Sequence, residues 1–137
     1  ASDWVDAGWS IADTVVFAEA LKKRGCDFLC ASSGGVSDQQ KLQLGPGYQV
    51  PFAAQVRSET GITTMAVGMI LESDHAESII ADCSADMVAL ARGLLYDPRW
   101  AWHAAHALGA EASYPPQYAR SEPSQWPQAF RLREAAQ

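Results

Sequence analysis

Basic residues are scarce in this chain: ten Lys+Arg stand against sixteen Asp+Glu, a net charge of −6 over 137 residues. A nucleic-acid surface needs the opposite excess, so that class of partner is excluded. Long apolar runs are missing too. None approaches the roughly 20 residues that a membrane-spanning helix needs, and no basic-then-apolar leader is present. Cysteine is sparse: Cys26, Cys30 and Cys83, an odd number without a CxxC pair, read as reduced thiols of a cytoplasmic protein. No glycine cluster forms GxGxxG or a Walker loop, so neither a dinucleotide fold nor a P-loop gains support. An initiator Met is absent as well. The chain opens Ala1-Ser2-Asp3-Trp4, which predicts that something has been removed from its front. What is plentiful is apolar residues, 48% of the chain, enough for the core of one domain.

The remaining pattern predicts strict alternation of helices and strands. Ser10 and Asp13 have capping-box spacing, Ile11, Val15, Ala18 and Leu21 share a face, Lys22 to Arg24 suit a helix C-terminus, and Gly25 ends it. Residues 27–32 form a nearly continuous apolar run, the mark of a strand covered on both faces. Val36 to Val50 is a long loop with the turn Gly45-Pro46-Gly47. Pro51 opens the next helix and Gly61 closes it. Residues 62–67 are the second strand; Ser73 or Asp74 caps the helix that follows. Residues 86–91 are the third strand, and Arg92 to Tyr96 is a brief helical piece. Asp97-Pro98 then supplies an N-cap and first-turn Pro for a final helix to Gly109. Residues 110–137 read as an irregular, aromatic-bearing tail. The class is α/β with a parallel sheet, and three strands are few for a complete one.

All three strands end in small residues or Arg: Ser33-Gly34-Gly35, Gly68, and Ala91-Arg92-Gly93. Ligands of α/β folds bind at the carboxyl ends of the strands. Backbone N–H groups beside small residues can approach an anion, and Arg92 can offer a bidentate fork to a phosphate. Tight βα turns also favour Gly, so the residues alone leave both readings open.

Five blocks in order carry a resemblance: Gly8-Trp9-Ser10; residues 27–35 ending Cys30-Ala31-Ser32-Ser33-Gly34-Gly35; Pro46-Gly47-Tyr48-Gln49-Val50-Pro51-Phe52-Ala53; Ala66-Val67-Gly68-Met69-Ile70; and residues 90–100 around Ala91-Arg92-Gly93 and Asp97-Pro98-Arg99-Trp100. Together they resemble the C-terminal part of the Old Yellow Enzyme family, in its subgroup of bacterial NADH:flavin oxidoreductases and xenobiotic reductases. The resemblance implies strands six to eight of a flavin-binding TIM (β/α)₈ barrel. It implies FMN as cofactor, NADH or NADPH as hydride donor, and α,β-unsaturated carbonyl compounds as substrates whose C=C bond is reduced. Ser33, Gly34, Gly68, Ala91 and Arg92 would bind the FMN phosphate, Ala91 standing where the family usually has Gly. Residues 1–109 would be barrel units and residues 110–137 a tail contacting a second protomer. Tyr118-Ala119-Arg120 matches the place where this subgroup sends an Arg into its neighbour's site, so Arg120 is a candidate trans-acting residue in a homo-oligomer; a solvated tail Arg is the competing reading.

The family's proton-donor Tyr and the His/Asn or His/His pair that holds the substrate carbonyl lie earlier in the barrel. The resemblance therefore implies no catalytic residue here and a fragment, one chain of a split enzyme or a processed product, with a partner chain carrying the N-terminal part of the barrel. The alternative is a non-catalytic flavin-binding or assembly subunit. Iron–sulfur relatives rank lower, because no cluster-type cysteines follow Asp97. His103 and His106 lie three apart on a helix without a third ligand in register, so no metal is expected. Asp97 reads as a cap, Cys30 and Cys83 as packing residues, and His75 has no assigned role. Trp100, Trp102 and Trp126 are candidates for core or for an oligomer contact.

Overall fold

The computed structural model describes residues 1–129. Three parallel strands, β1 (Phe28–Cys30), β2 (Thr63–Val67) and β3 (Met87–Ala89), form one sheet in the order β1-β2-β3. Helices α1 (Ile11–Lys23), α2 (Val50–Thr60) and α3 (Ser73–Ala81) alternate with them, and α4 (Arg92–Tyr96) and α5 (Trp100–Ala107) follow β3. Two 3₁₀ turns, Pro116–Ser121 and Pro123–Gln125, come after. The last eight residues of the expected tail, 130–137, lie outside the described residues.

Local chemistry fixes the element ends. Ser10 Oγ accepts from Asp13 N–H at 3.3 Å and the Asp13 carboxylate accepts from Ser10 N–H at 2.9 Å, which closes the capping box of α1. The Ser10 hydroxyl and N–H also hold the Asp13 carboxyl below its ordinary pKa. Pro51 lies in the first turn of α2, and left-handed Gly61 ends that helix with its N–H on Arg57 O. Several boundaries correct the sequence reading. Ser73 is already helical, with extended Glu72 before it and no side-chain cap. Helix α5 starts at Trp100, because Asp97 caps from outside it, accepting Arg99 N–H at 3.0 Å, and it stops at Ala107. The strands β1 and β3 are three residues each, shorter than residues 27–32 and 86–91.

The core is built from small side chains. Ala18, Ala31, Ala53, Ala66, Ala76 and Ala85 are all buried, and the largest side chains below 2% exposure are Val56 and Thr64. Alanines on the strands let the helix layer come close, and Ile62, Ile70 and Ile79 fill the rest. Register sorts the sheet into two faces. Leu29 lies beside Thr64 and Ala66 beside Val88 on the helix side. Phe28 beside Thr63, Cys30 beside Met65 and Met87, and Val67 beside Ala89 make the other side. That second side is open: Phe28 is 47% exposed and Cys30 is exposed. The expectations that β1 is covered on both faces and that Cys30 is buried are thus corrected, since among the described residues Phe28 and Cys30 stay exposed on that row. Cys83 is corrected as well, lying exposed in the turn after α3 with a left-handed φ of 56°.

Of the three candidate tryptophans, Trp100 packs on the core and donates its indole N–H to Leu71 O. Trp102 stacks with Tyr114 (ring centroids 4.6 Å apart) and Tyr118 (5.7 Å). The Arg99 guanidinium lies over both the Trp102 and Tyr118 rings, at 4.7 and 4.3 Å. Trp126 is exposed.

Candidate functional site

The carboxyl ends of the three strands meet at one edge of the sheet, because parallel strands all point the same way. After β1 the chain turns through Ser33, Gly34 and Gly35, and each N–H there is already used. Ser33 N–H goes to Gln49 Oε1 at 2.6 Å, Gly34 N–H to Ser2 O at 2.9 Å, and Gly35 N–H to Gln40 Oε1 at 2.7 Å. The Ser33 hydroxyl also donates to Gln49 Oε1, at 2.6 Å, and accepts from Trp4 Nε1–H at 2.8 Å. This end of the site is internally bonded.

The other two ends differ. Gly68 follows β2 with φ at +116°, and Met69 follows with φ at 53°, a left-handed conformation that a side-chain-bearing residue rarely adopts. Such strain persists only where the surroundings hold it, and it concentrates at binding sites. Gly68 O accepts from Gly47 N–H at 2.8 Å, while Gly68 N–H forms no hydrogen bond within the described residues. After β3, the first turn of α4 leaves the N–H groups of Arg92 and Gly93 without intrahelical partners. Between these ends lies a cavity of about 490 Å³, bordered by Gly68, Ala91, Arg92 and Gly93 and by Tyr48 and Gln49 from the preceding loop.

Arg92 is the one charged residue on its wall among the described residues. An acidic chain, at −6 overall, presents here a largely apolar pocket with one cation and no carboxylate on its wall. Free N–H donors, small residues that admit close approach, and one guanidinium are the donor set that a phosphate takes. The phosphate end of FMN fits this donor set. Three of the five residues expected to bind it, Gly68, Ala91 and Arg92, line the cavity together. Ser33 reaches the wall through Gln49, and Gly34 sits one residue further on.

Gln49 is the residue that the motif reading passed over. It is 3% exposed, and its Nε2–H donates to Val67 O at 3.3 Å. A lone amide just before the apolar start of α2 was the available signal. His75 has its ring beside Gly47, where an added Cβ would lie 2.9 Å from it.

Arg120 is on the first 3₁₀ turn, exposed and away from the cavity. The stack of Tyr118 on Arg99 and Trp102 holds that turn against α5. His103 pairs through Nδ1 with Asp97 Oδ2 at 2.7 Å, so Asp97 serves both as cap and as partner. Among the described residues no cluster of three or more His, Cys, Asp or Glu is placed to hold a metal. No helix among them is long and apolar enough to cross a membrane.

The sequence profile of the NADH:flavin oxidoreductase / NADH oxidase family matches residues 1–111. An NADPH dehydrogenase of Geobacillus sp. (strain WCH70) is 43% identical over 120 residues, covering 88% of this chain and 35% of the relative. The NADPH dehydrogenase of Bacillus subtilis (strain 168) is 41% identical over 120 residues, with the same coverage. That of Listeria innocua serovar 6a is 36% identical over 121 residues, covering 88% of this chain and 36% of the relative. The chain spans about a third of the length of these curated relatives.

Proposed function

The chain belongs to the NADH:flavin oxidoreductase / NADH oxidase family, and on that premise we propose that it supplies the phosphate-binding part of an FMN-dependent NAD(P)H oxidoreductase. This agrees with its resemblance to the Old Yellow Enzymes. The cofactor is FMN, with NADPH or NADH as electron donor. The observation that carries the proposal is the cationic cavity where Gly68, Ala91 and Arg92 converge. In this reading β1, β2 and β3 are strands six to eight of a (β/α)₈ barrel, residues 1–109 are its units, and residues 110–137 are the tail. A complete barrel needs about 250 residues, so the rest of it lies outside these 137 residues, on a partner chain or on a longer form of this one. The open sheet face, with Phe28 and Cys30 uncovered, is where strands of that partner belong.

Bound FMN supplies the hydride-transfer chemistry. This chain's residues do other work. Arg92 would neutralise the phosphate through its fork, the N–H groups of Gly68 and Gly93 would donate to it, and Ser33 and Gly34 would border it behind Gln49. Fixing the phosphate fixes where the rest of the cofactor lies relative to the strand ends. The substrate reading is α,β-unsaturated carbonyl compounds, reduced at C=C. Arg120, exposed on the turn that Tyr118 packs against Arg99 and Trp102, is the residue offered to a second protomer in a homo-oligomer. Three unpaired thiols suit a reducing compartment, and we assign the cytoplasm.

The test is a flavin titration of the purified chain, followed by fluorescence, with native mass and visible spectrum recorded in parallel. FMN binds at least tenfold more tightly than riboflavin, which lacks the phosphate, and Arg92→Met removes that preference. Equal binding of the two flavins by the parent chain overturns the phosphate-site reading. NADPH oxidation that appears only when a barrel-completing chain is added supports the enzyme. FMN binding without any such activity favours a non-catalytic subunit.

A further inference from the structure

The Gln49 carboxamide uses both acceptor positions of its oxygen and one of its two N–H donors, and its orientation is dictated by its partners. A backbone N–H can only donate and a backbone carbonyl can only accept. Gln49 Oε1 therefore faces Ser33 N–H (2.6 Å) and Nε2 faces Val67 O (3.3 Å). The single proton of the Ser33 hydroxyl also goes to Oε1, at 2.6 Å, which leaves its oxygen free to accept Trp4 Nε1–H at 2.8 Å. One buried side chain thus ties the end of β1 to the end of β2. The neighbouring Gly47 N–H bond to Gly68 O, at 2.8 Å, ties the same loop to the same turn. Gln49 also borders the cavity that Arg92 lines.

We propose that Gln49 is the positioning residue of the anion site, tying the end of β1 at Ser33 to the end of β2 so that the Gly68 turn keeps its N–H toward the phosphate. The inference rests on the phosphate reading above and adds to it a residue that acts through the Gly68 turn. No common substitute reproduces the pattern. Glutamate keeps the acceptor for Ser33 but sets an oxygen against Val67 O and places a carboxylate on the cavity wall. Methionine keeps the length and shape but leaves the Ser33 N–H without a partner.

Inorganic phosphate is titrated into the ¹⁵N-labelled full chain, with the amides of Ser33, Gly68 and Gly93 and the carboxamide of Gln49 as reporters. In the parent all four shift along one binding curve. In Gln49→Met the affinity falls about tenfold, and the Ser33 response is lost while Gly93, on the β3 side, still responds. A general loss of packing would not divide the site in that way. Gln49→Glu weakens phosphate further than Gln49→Met because of its charge. If Gln49→Met binds within twofold of the parent with Ser33 still responding, the positioning role is overturned and the phosphate reading stands. If the parent shows no response at Gly68 or Gly93, the phosphate reading falls and the inference with it. Should the variants fail to fold, the parent decides: a Gln49 carboxamide that stays still while Gly68 shifts overturns the proposal.

Discussion

Replacing Gly68 and Gly35 by alanine, one at a time, separates two effects that most glycine substitutions confound. Both residues have positive φ, +116° at Gly68 and +81° at Gly35. At Gly35 an added Cβ would meet nothing within 4 Å, so Gly35→Ala bears only the conformational cost of a left-handed L-residue, about 1–2 kcal/mol. At Gly68 the same Cβ would lie 2.8 Å from Gln49 Nε2 and 2.9 Å from Tyr48 Cε1. Either the buried Gln49 amide moves, with loss of hydrogen bonds worth about 0.5–1.5 kcal/mol each, or the overlap is absorbed as overpacking at about 1–3 kcal/mol. Adding the conformational cost brings Gly68→Ala to about 2–5 kcal/mol. Urea denaturation followed by far-UV circular dichroism measures both. The crowding argument is refuted if the two variants lie within about 0.5 kcal/mol of each other, the range of an ordinary surface substitution. Phosphate binding gives a second readout, because Gly68→Ala disturbs the Gln49 wall of the cavity and Gly35→Ala leaves it intact.

Three smaller expectations concern single groups. Thr64 Oγ1 is buried without a hydrogen-bond partner, so the isosteric Thr64→Val stabilises by about 1 kcal/mol; a lowered urea midpoint would count against this. Ser10→Ala removes the reciprocal cap of α1 and costs about 1 kcal/mol, whereas a change below 0.3 kcal/mol would mean that the exposed cap contributes nothing beyond what water supplies. The Asp86 carboxyl is held below its ordinary pKa, first by Thr64 N–H at 2.9 Å and then by Arg57 at 3.0 Å. Its contribution is therefore complete above the unfolded carboxylate value near pH 4 and is lost as pH falls through the lower folded value. Asp86→Asn should flatten the acid limb of the stability–pH curve below about pH 4, and an unchanged limb would show that the carboxyl is not engaged.

The order of elements was legible because local signals agreed with one another. Ser10 and Asp13 announced α1, Pro51 and Gly61 bracketed α2 within a residue, and Arg92 to Tyr96 was read with the same bounds that the structure gives α4. Ends without a strong chemical signal moved. Glu72 has no capping side chain, so Ser73 and Asp74 looked like the better start. Asp97 does cap, but from outside α5, an arrangement that spacing alone does not separate from an ordinary N-cap. At the site, small residues at strand ends pointed to Gly68, Ala91 and Arg92, which share one cavity. They did not show that the donors of Ser33 are already spent on Gln49. A side chain reaching sixteen residues back along the chain leaves no periodic trace, and only the fold brings the two together.

The sheet's open side explains why β1 read as a doubly covered strand, and it yields a test that needs no flavin. Phe28 and Cys30 alternate with Leu29 and Ala31, yet all four are apolar, as in a strand packed from both sides. The helix layer covers one side, where Ala31 and Ala66 are fully buried. In the Cys30, Met65 and Met87 row on the other side, Cys30 is exposed and both methionines are half-buried among the described residues. Cys30 carries a thiol on that row, while Cys83 carries one in the exposed turn after α3, so the two form a reporter and an internal reference. With the chain alone, both thiols react readily with a chromogenic disulfide reagent. When a chain carrying the first strands of the barrel is added, Cys30 should slow at least tenfold while Cys83 is unchanged, because an opening must then precede reaction at a buried thiol. Equal rates at Cys30 with and without that partner, under conditions where the two chains co-migrate, would mean that the partner docks elsewhere and that this sheet face does not close a barrel.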